Sequence, residues 1–324
     1  MDQHRILYLS RADVEQINLP MESIISALET MFVEKGHGRT EMPPKPGIHT
    51  APDAFIHAMP AYIPSLGAAG MKWVSGYPTN MPKGLPYITG LLILNDPDTG
   101  FPIAVMDCAW ITAKRTGAAT AASAMHLARK DSETVGIAAC GVQGRSNLEA
   151  LACRFPIRRV KAYDIRPECA KVYAEEMGAY LNISIEPVST PEQAIRGADI
   201  VVTSGPIVRD PMRVVQAGWL AEGSFASLVD YDCYWTAPAL HEADKLATDD
   251  HAQMAYYKEH GYFQASPLPY ADLGELAAGL KPGRETAEER TIAINLGLAL
   301  DDMATAMPIY LKAREMGIGV ELPL

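Results

Sequence analysis

Residues 135 to 153, VGIAACGVQGRSNLEALAC, constrain the fold of this chain more than any other stretch. A short apolar run (Val135, Ile137, Ala138) meets a turn holding Gly141 and Gly144, and a helix-favouring segment (Leu148, Glu149, Ala150, Leu151) follows at once. Strand, turn and helix start in that order direct unpaired backbone N–H groups and the positive end of a helix dipole at the turn, where a pyrophosphate can sit. The pattern is Ala139-x-Gly141-x-x-Gly144, so alanine replaces the first glycine of the dinucleotide fingerprint. Alone, such a turn is a weak signal, because glycine turns are also purely structural. A second apolar strand (Val160, Ala162, Tyr163) ends in Asp164, roughly 20 residues beyond Gly141, where an acid suits the ribose hydroxyls of a dinucleotide. Together the two features favour a dinucleotide site.

Around that stretch the chain changes rhythm. After residue 135, strand candidates at Val160–Tyr163, Ile183–Pro187, Ile200–Thr203 and Ser224–Leu228 alternate with helical segments, the pattern of a parallel, doubly wound α/β sheet. Before it, Ile6–Leu9 reads as a strand followed by a Ser10 cap, and Ile24, Ile25, Leu28, Met31 and Phe32 mark one face of a helix ended by Gly36 and Gly38. A proline-rich segment follows, with strands expected near Gly47–His49, Phe55–Met59, Met71–Val74 and Ile88–Leu94, the last closed by an Asp96–Gly100 turn. Short strands joined by turns predict an antiparallel or mixed sheet there, and Thr112–Leu127 a small-residue helix. Towards the end, Thr291–Asn295 reads as a strand and Leu298–Met316 as an amphipathic helix that Pro308 should kink or restart. At 324 residues the chain is long enough for about two domains.

A net charge of −11, with no run of Lys and Arg, argues against a nucleic-acid surface. Five scattered cysteines form no C-x-x-C pair and no Cys/His ladder at metal spacing, so they read as reduced residues of a cytoplasmic protein with no metal site. The start, MDQHRILYLS, has no apolar core of signal-peptide length, and no run of about 18 apolar residues suggests a membrane span.

Against that acidic background, individual cations stand out. Lys72 sits in the middle of an apolar strand; facing inward it needs an anion, and otherwise its stem carries the ammonium to solvent past Trp73. Arg115 precedes the small-residue helix, and its planar fork suits a carboxylate. Asp230 and Asp232 follow a parallel strand, where ligands of open α/β sheets gather, though either acid also suits a helix cap.

The stretches GMKWVSGYPTN, GLPYITGLLILNDPDTG, TAKRTGAATAASAMHLA, the AxGVQG turn, YDIR and DLGELAAGLKPGR, in this order over nearly the whole chain, resemble the ornithine cyclodeaminase and mu-crystallin family. The resemblance implies a Rossmann domain over residues 115–302, a discontinuous α+β substrate-binding and dimerisation domain over 1–114 and 303–324, and a homodimer. It implies a substrate-carboxylate cluster on Lys45, Lys72 and Arg115, lysine replacing the usual arginine at 45, and catalytic roles for the aspartate Asp232 and for Lys72. Cofactor contacts are implied at Val142, Gln143, Asp164, Thr203 and the Val229–Asp232 strand end. Thr116, Ser204, Arg166, Gly141 and Gly144 complete that set, and Asn295 is implied near the nicotinamide. Tyr87 and Asn295 stand where hydroxyl residues are usual. His57 replaces a glutamate of the ornithine-specific enzymes, and Cys233-Tyr234-Trp235-Thr236 replaces their Cys-Pro-Gly-Lys, which argues against a diamine substrate. His57 is a substrate contact or simply a strand histidine bonded to backbone.

The implied activity is reversible hydride transfer between a nicotinamide and the α-carbon of a small amino or imino acid. Asp164 favours NAD, while Arg166 leaves NADP open. The alternatives are a cyclodeaminase-type lyase releasing ammonia and a mu-crystallin-like ligand-binding protein.

Overall fold

The computed structural model describes residues 4–324. In chain order its main elements begin with β1 (Arg5–Leu9), α1 (Arg11–Ile17), α2 (Met21–Gly36), β2 (Gly47–Ile48), β3 (Phe55–Ile63), β4 (Ala68–Gly76), β5 (Ile88–Asn95), β6 (Pro102–Asp107) and α3 (Ala109–Leu127). They continue with β7 (Thr134–Ala138), α4 (Val142–Arg154), β8 (Arg159–Tyr163), α5 (Pro167–Leu181), β9 (Ser184–Pro187), α6 (Pro191–Ile195), β10 (Ile200–Thr203), β11 (Phe225–Leu228) and α7 (Ala237–Leu240). The last are β12 (Lys245–Thr248), α8 (His251–Glu259), β13 (Ala271–Asp272), α9 (Leu273–Ala277), β14 (Thr291–Ile294), α10 (Ala299–Met316) and β15 (Val320–Pro323). The chain divides into two compact units, one holding the residues up to Arg115 together with Leu298–Leu324, the other Thr116–Gly297. The first division falls inside α3 and the second just ahead of α10.

The first unit is built on a seven-stranded mixed sheet in the order β15-β1-β6-β5-β4-β3-β2. Ser10 ends β1 and starts α1 through a capping box, its hydroxyl accepting from the Asp13 N–H while the Asp13 carboxylate accepts from the Ser10 N–H. One sheet face, which includes Met59, Lys72, Val74, Leu92, Leu94, Ala104 and Met106, is buried, and α10 packs on β3, β4 and α2. Alternation then places Trp73 and its cross-strand partner Leu91, with Tyr8, on the opposite, exposed face.

Helix α10 departs from expectation. It continues through Pro308 without a restart, and every residue from Ala299 to Met307 is buried, so only its C-terminal half is amphipathic. Proline costs one backbone bond, and burial of the preceding turns against α2 and the sheet outweighs it.

The second unit is an eight-stranded, wholly parallel sheet in the order β13-β12-β14-β11-β10-β7-β8-β9. From β7 the chain winds outward through β8 to β9, then returns to start the other half at β10, giving the Rossmann switch point between β7 and β10. Strands β7, β10, β11, β12 and β14 are buried along almost their whole length, the condition of a sheet covered on both faces.

Candidate functional site

In the second unit, the turn after β7 has the geometry that a dinucleotide requires. Ala139 takes φ +81°, a left-handed conformation that alanine adopts with strain, at the position where the fingerprint has glycine. Gly141 is the N-cap of α4, which begins at Val142, ahead of the apolar segment that marks it in the sequence; no side chain caps it, so its first-turn N–H groups point outward. A Cβ built on Gly141 meets nothing within 4 Å, leaving room for a ligand against the backbone. At Gly144 the reverse holds: a Cβ would lie 2.5 Å from the Ala139 carbonyl oxygen, so glycine there lets the helix close on the strand.

Asp164 braces this turn. Its Oδ2 accepts from the Cys140 N–H at 2.9 Å and its Oδ1 from the Arg166 N–H at 2.9 Å, with the Arg166 Nε 3.8 Å away. Each carboxylate oxygen keeps a second lone pair for a hydroxyl donor. Val142 and Ile165 lie exposed beside the turn, at 65% and 78% accessibility, large apolar surface of the kind that marks a binding site. The open Gly141, the uncapped helix and the braced acid fit a dinucleotide.

On the other side of the switch point the strand ends carry a buried chain of hydrogen bonds. The Trp235 indole donates to Thr203 Oγ1 at 3.2 Å, and the Thr203 hydroxyl donates to Asp230 Oδ1 at 2.8 Å. Burial pushes the Asp230 carboxyl up to about 7, against the pull of the Thr203 hydroxyl and of backbone N–H groups including that of Gly205. Tyr231, between the two acids, holds φ +61°. Asp232 is buried and accepts from Arg213 Nη2 at 2.9 Å. Neither acid caps a helix, since Thr236 occupies the N-cap of α7. Ser204 donates to the Ala139 carbonyl at 3.2 Å, tying the ends of β7 and β10 together. Asn295 is engaged at both ends of its amide, accepting from Ser123 and donating to Ser227 at 3.1 and 3.0 Å. These two bonds tie β14 to β11 and α3. Thr116 is buried near the middle of α3.

In the first unit, Lys72 does not reach solvent past Trp73. It is 1% exposed and its Nζ lies 2.8 and 2.7 Å from the two carboxylate oxygens of Asp302. Arg115, also buried, contacts Asp302 Oδ1 at 3.0 Å through Nε and Asp301 Oδ2 at 3.3 Å through Nη1. His57 sits on the same sheet face as Lys72, pairing with Val74 across β3 and β4, and stacks on Phe55 at 4.3 Å. Its pKa falls to about 3, first through burial and then through the charges of Lys45, His49 and Lys72, so the ring is neutral. The structure thus gathers Lys45, His57, Lys72 and Arg115 into one electrostatic neighbourhood.

Three partners escaped the sequence reading: Asp301 and Asp302, which meet the anion requirement of Lys72 and Arg115 from within the chain, and Arg213. The signal for the first two was present, an Asp-Asp pair in the middle of a segment otherwise as apolar as LGLALDDMATAM.

A family model described as the ornithine cyclodeaminase/mu-crystallin family matches residues 5–317. The chain belongs to that family. It is 38% identical to the alanine dehydrogenase of Archaeoglobus fulgidus over 331 residues, covering 98% of both chains. Among solved structures it is similar to the Δ1-pyrroline-2-carboxylate reductase of Thermococcus litoralis in complex with NADH and L-proline, with TM-score 0.88, 36% identity, and 97% and 99% of the two chains covered. An archaeal alanine dehydrogenase dimer with bound NAD gives TM-score 0.89 at 36% identity, covering 99% of this chain and 100% of that one. Among the described residues, no helix is long and apolar enough to cross a membrane, and no group of three or more His, Cys, Asp or Glu stands at metal-holding spacing.

Proposed function

We propose that the protein is an NAD-dependent oxidoreductase that moves hydride between the nicotinamide and the α-carbon of a small amino or imino acid. The observation that carries this reading is the open, uncapped turn at Gly141 braced by Asp164, in a chain whose relatives include an amino acid dehydrogenase and an imino acid reductase. Bound NAD supplies the hydride acceptor. Val142, Gln143, Gly144 and Ser204 would hold its pyrophosphate end, and Asp164 would take the ribose hydroxyls and disfavour a 2′-phosphate. Lys45, Lys72 and Arg115 hold the substrate carboxylate and so fix the α-carbon. His57, being neutral, offers a hydrogen bond without adding charge. Asp232 exchanges the proton of the α-nitrogen.

We also infer a homodimer formed through the exposed face of the first unit's sheet. Trp73, Leu91 and Tyr8 form apolar surface there that a second copy would cover.

The test is incubation with L-proline, L-alanine, L-ornithine or L-lysine and NAD, and in reverse with Δ1-pyrroline-2-carboxylate or pyruvate plus ammonia and NADH. Stoichiometric change of NADH with one of these supports the reading. Ammonia release from a diamine without net NADH change selects a cyclodeaminase, and binding of NADH with turnover of none selects a ligand-binding protein.

A further inference from the structure

The acids that meet Lys72 and Arg115 are not equivalent. Asp302 makes three ion-pair contacts at 3.0 Å or less, two to Lys72 Nζ and one to Arg115 Nε, of which the Lys72 contact to Oδ1 is a hydrogen bond while Oδ2 and Arg115 Nε have ion-pair contact alone. Asp301 has one long contact to Arg115, at 3.3 Å, and one bond from the Leu298 N–H at 2.9 Å, both on Oδ2. Its Oδ1 is fully buried with no hydrogen-bond partner. Two carboxylates offset the charges of Lys72 and Arg115, so an incoming anion meets little net attraction from these two cations. It gains the full attraction of Arg115 when one of the acids gives up its charge.

We propose that Asp301 and Asp302 are positioning residues of the carboxylate site: Asp302 fixes Lys72 and Arg115, while Asp301 yields Arg115 to the incoming carboxylate and takes up a proton as it does so. This rests on the reading that Lys72 and Arg115 bind the substrate carboxylate. In the exchange, the Arg115 N–H···O contact passes from Asp301 to the ligand. One proton from solvent bonds to the buried Asp301 carboxylate, and net charge in the pocket is conserved. The groups facing Asp301 are Arg115 from α3, Lys72 from β4 and Asp302 from its own helix. Beyond them lie Cys108, against Lys72 and Asp302, and His57 and Lys45, towards Lys72. Burial already raises Asp301 to about 6, with Arg115 as the first influence opposing it. Withdrawal of Arg115 removes that opposition, so the carboxyl becomes still harder to ionise.

The test is calorimetry of L-proline binding to the NADH-loaded protein between pH 6 and 8, in buffers of different ionisation enthalpy. L-proline does not itself titrate across that range. The expected result is uptake approaching one proton at pH 7 to 8 and an affinity that falls about tenfold per pH unit there. Asp301→Asn should abolish the uptake and flatten the pH dependence, and Asp301→Glu should restore both. Binding without proton uptake overturns the inference and leaves the carboxylate reading intact; this needs only the unaltered protein, so a poorly folding variant does not obscure it. An affinity for L-proline and pyruvate that Lys72→Met leaves unchanged, or no binding of either, overturns the carboxylate reading and the inference with it.

Discussion

Replacing Asp302 by alanine strips Lys72 of its counter-ion at a site where the ammonium is 1% exposed. Water cannot reach it to compensate, and Asp301 contacts Arg115, not Lys72. Removing one partner of a buried pair costs about 3–5 kcal/mol, a large part of the roughly 5–15 kcal/mol that holds a native protein together. At about 2–4 °C per kcal/mol that is a fall in Tm of roughly 6–20 °C. The loss should also depend on pH in a defined direction. Burial and Arg115 depress the Lys72 pKa, and Asp302 is among the groups that raise it. Without Asp302 the folded-state pKa falls further below the unfolded one. The unfolded chain then binds more protons, so the variant gains stability as pH rises through that window. Guanidinium unfolding followed by tryptophan fluorescence, at pH 7 and pH 9, measures both effects. The double variant Lys72→Met/Asp302→Leu, which removes both charges, should recover most of the loss. An Asp302→Ala cost below about 1 kcal/mol, or a double variant no more stable than the single one, would refute the claim that this pair is dry and mutually dependent.

Three further outcomes follow from particular contacts. Gly144→Ala drives a methyl group to 2.5 Å from the Ala139 carbonyl and should cost about 1–3 kcal/mol in a thermal melt; Gly141→Ala, whose Cβ meets nothing, should leave the melt unchanged while lowering NADH affinity in a fluorescence titration. Asp230 has a folded pKa of about 7, above its unfolded value, so its contribution is fully present below pH 4 and is lost as pH rises through 7. Asp230→Asn keeps the bond from Thr203 and should flatten that decline in urea unfolding at pH 5 and 8. Trp73→Glu with Leu91→Glu places like charges across the exposed strand pair, and light scattering should show a monomer in place of a dimer.

The doubly wound unit was legible because β7, β8, β10 and β11 are runs of four or five residues in which apolar side chains dominate or, in β8, alternate with charged ones, and because Gly141 and Asp164 mark both ends of one βαβ unit. Strands β12, β13 and β15 were not. The first opens on Lys245, the second is two residues long, and the third is an exposed edge whose pairing with β1 comes from the other end of the chain. Pro308 misled for the opposite reason: local backbone preference was clear, and tertiary burial overrode it. The cation cluster was legible as a demand for anions, since a lysine inside an apolar strand must either carry its ammonium to water or meet an acid. Its satisfaction was not, because Lys72 and Asp302 lie 230 positions apart and only the fold brings them together.

That difference sets how the dinucleotide turn and the cation cluster respond to their ligands. Asp164 is held by two backbone N–H donors and retains lone pairs, so hydroxyl donors add to it without breaking anything already made. Lys72 and Arg115 are committed to carboxylates of their own chain, so a carboxylate ligand enters by exchange. Addition costs only the ordering of the ligand and depends weakly on pH, whereas exchange must leave an internal acid without its cation or neutralise it. Cofactor affinity should therefore be nearly constant between pH 6 and 8, while carboxylate affinity falls with rising pH, because only the second process makes a buried acid choose between a cation and a proton.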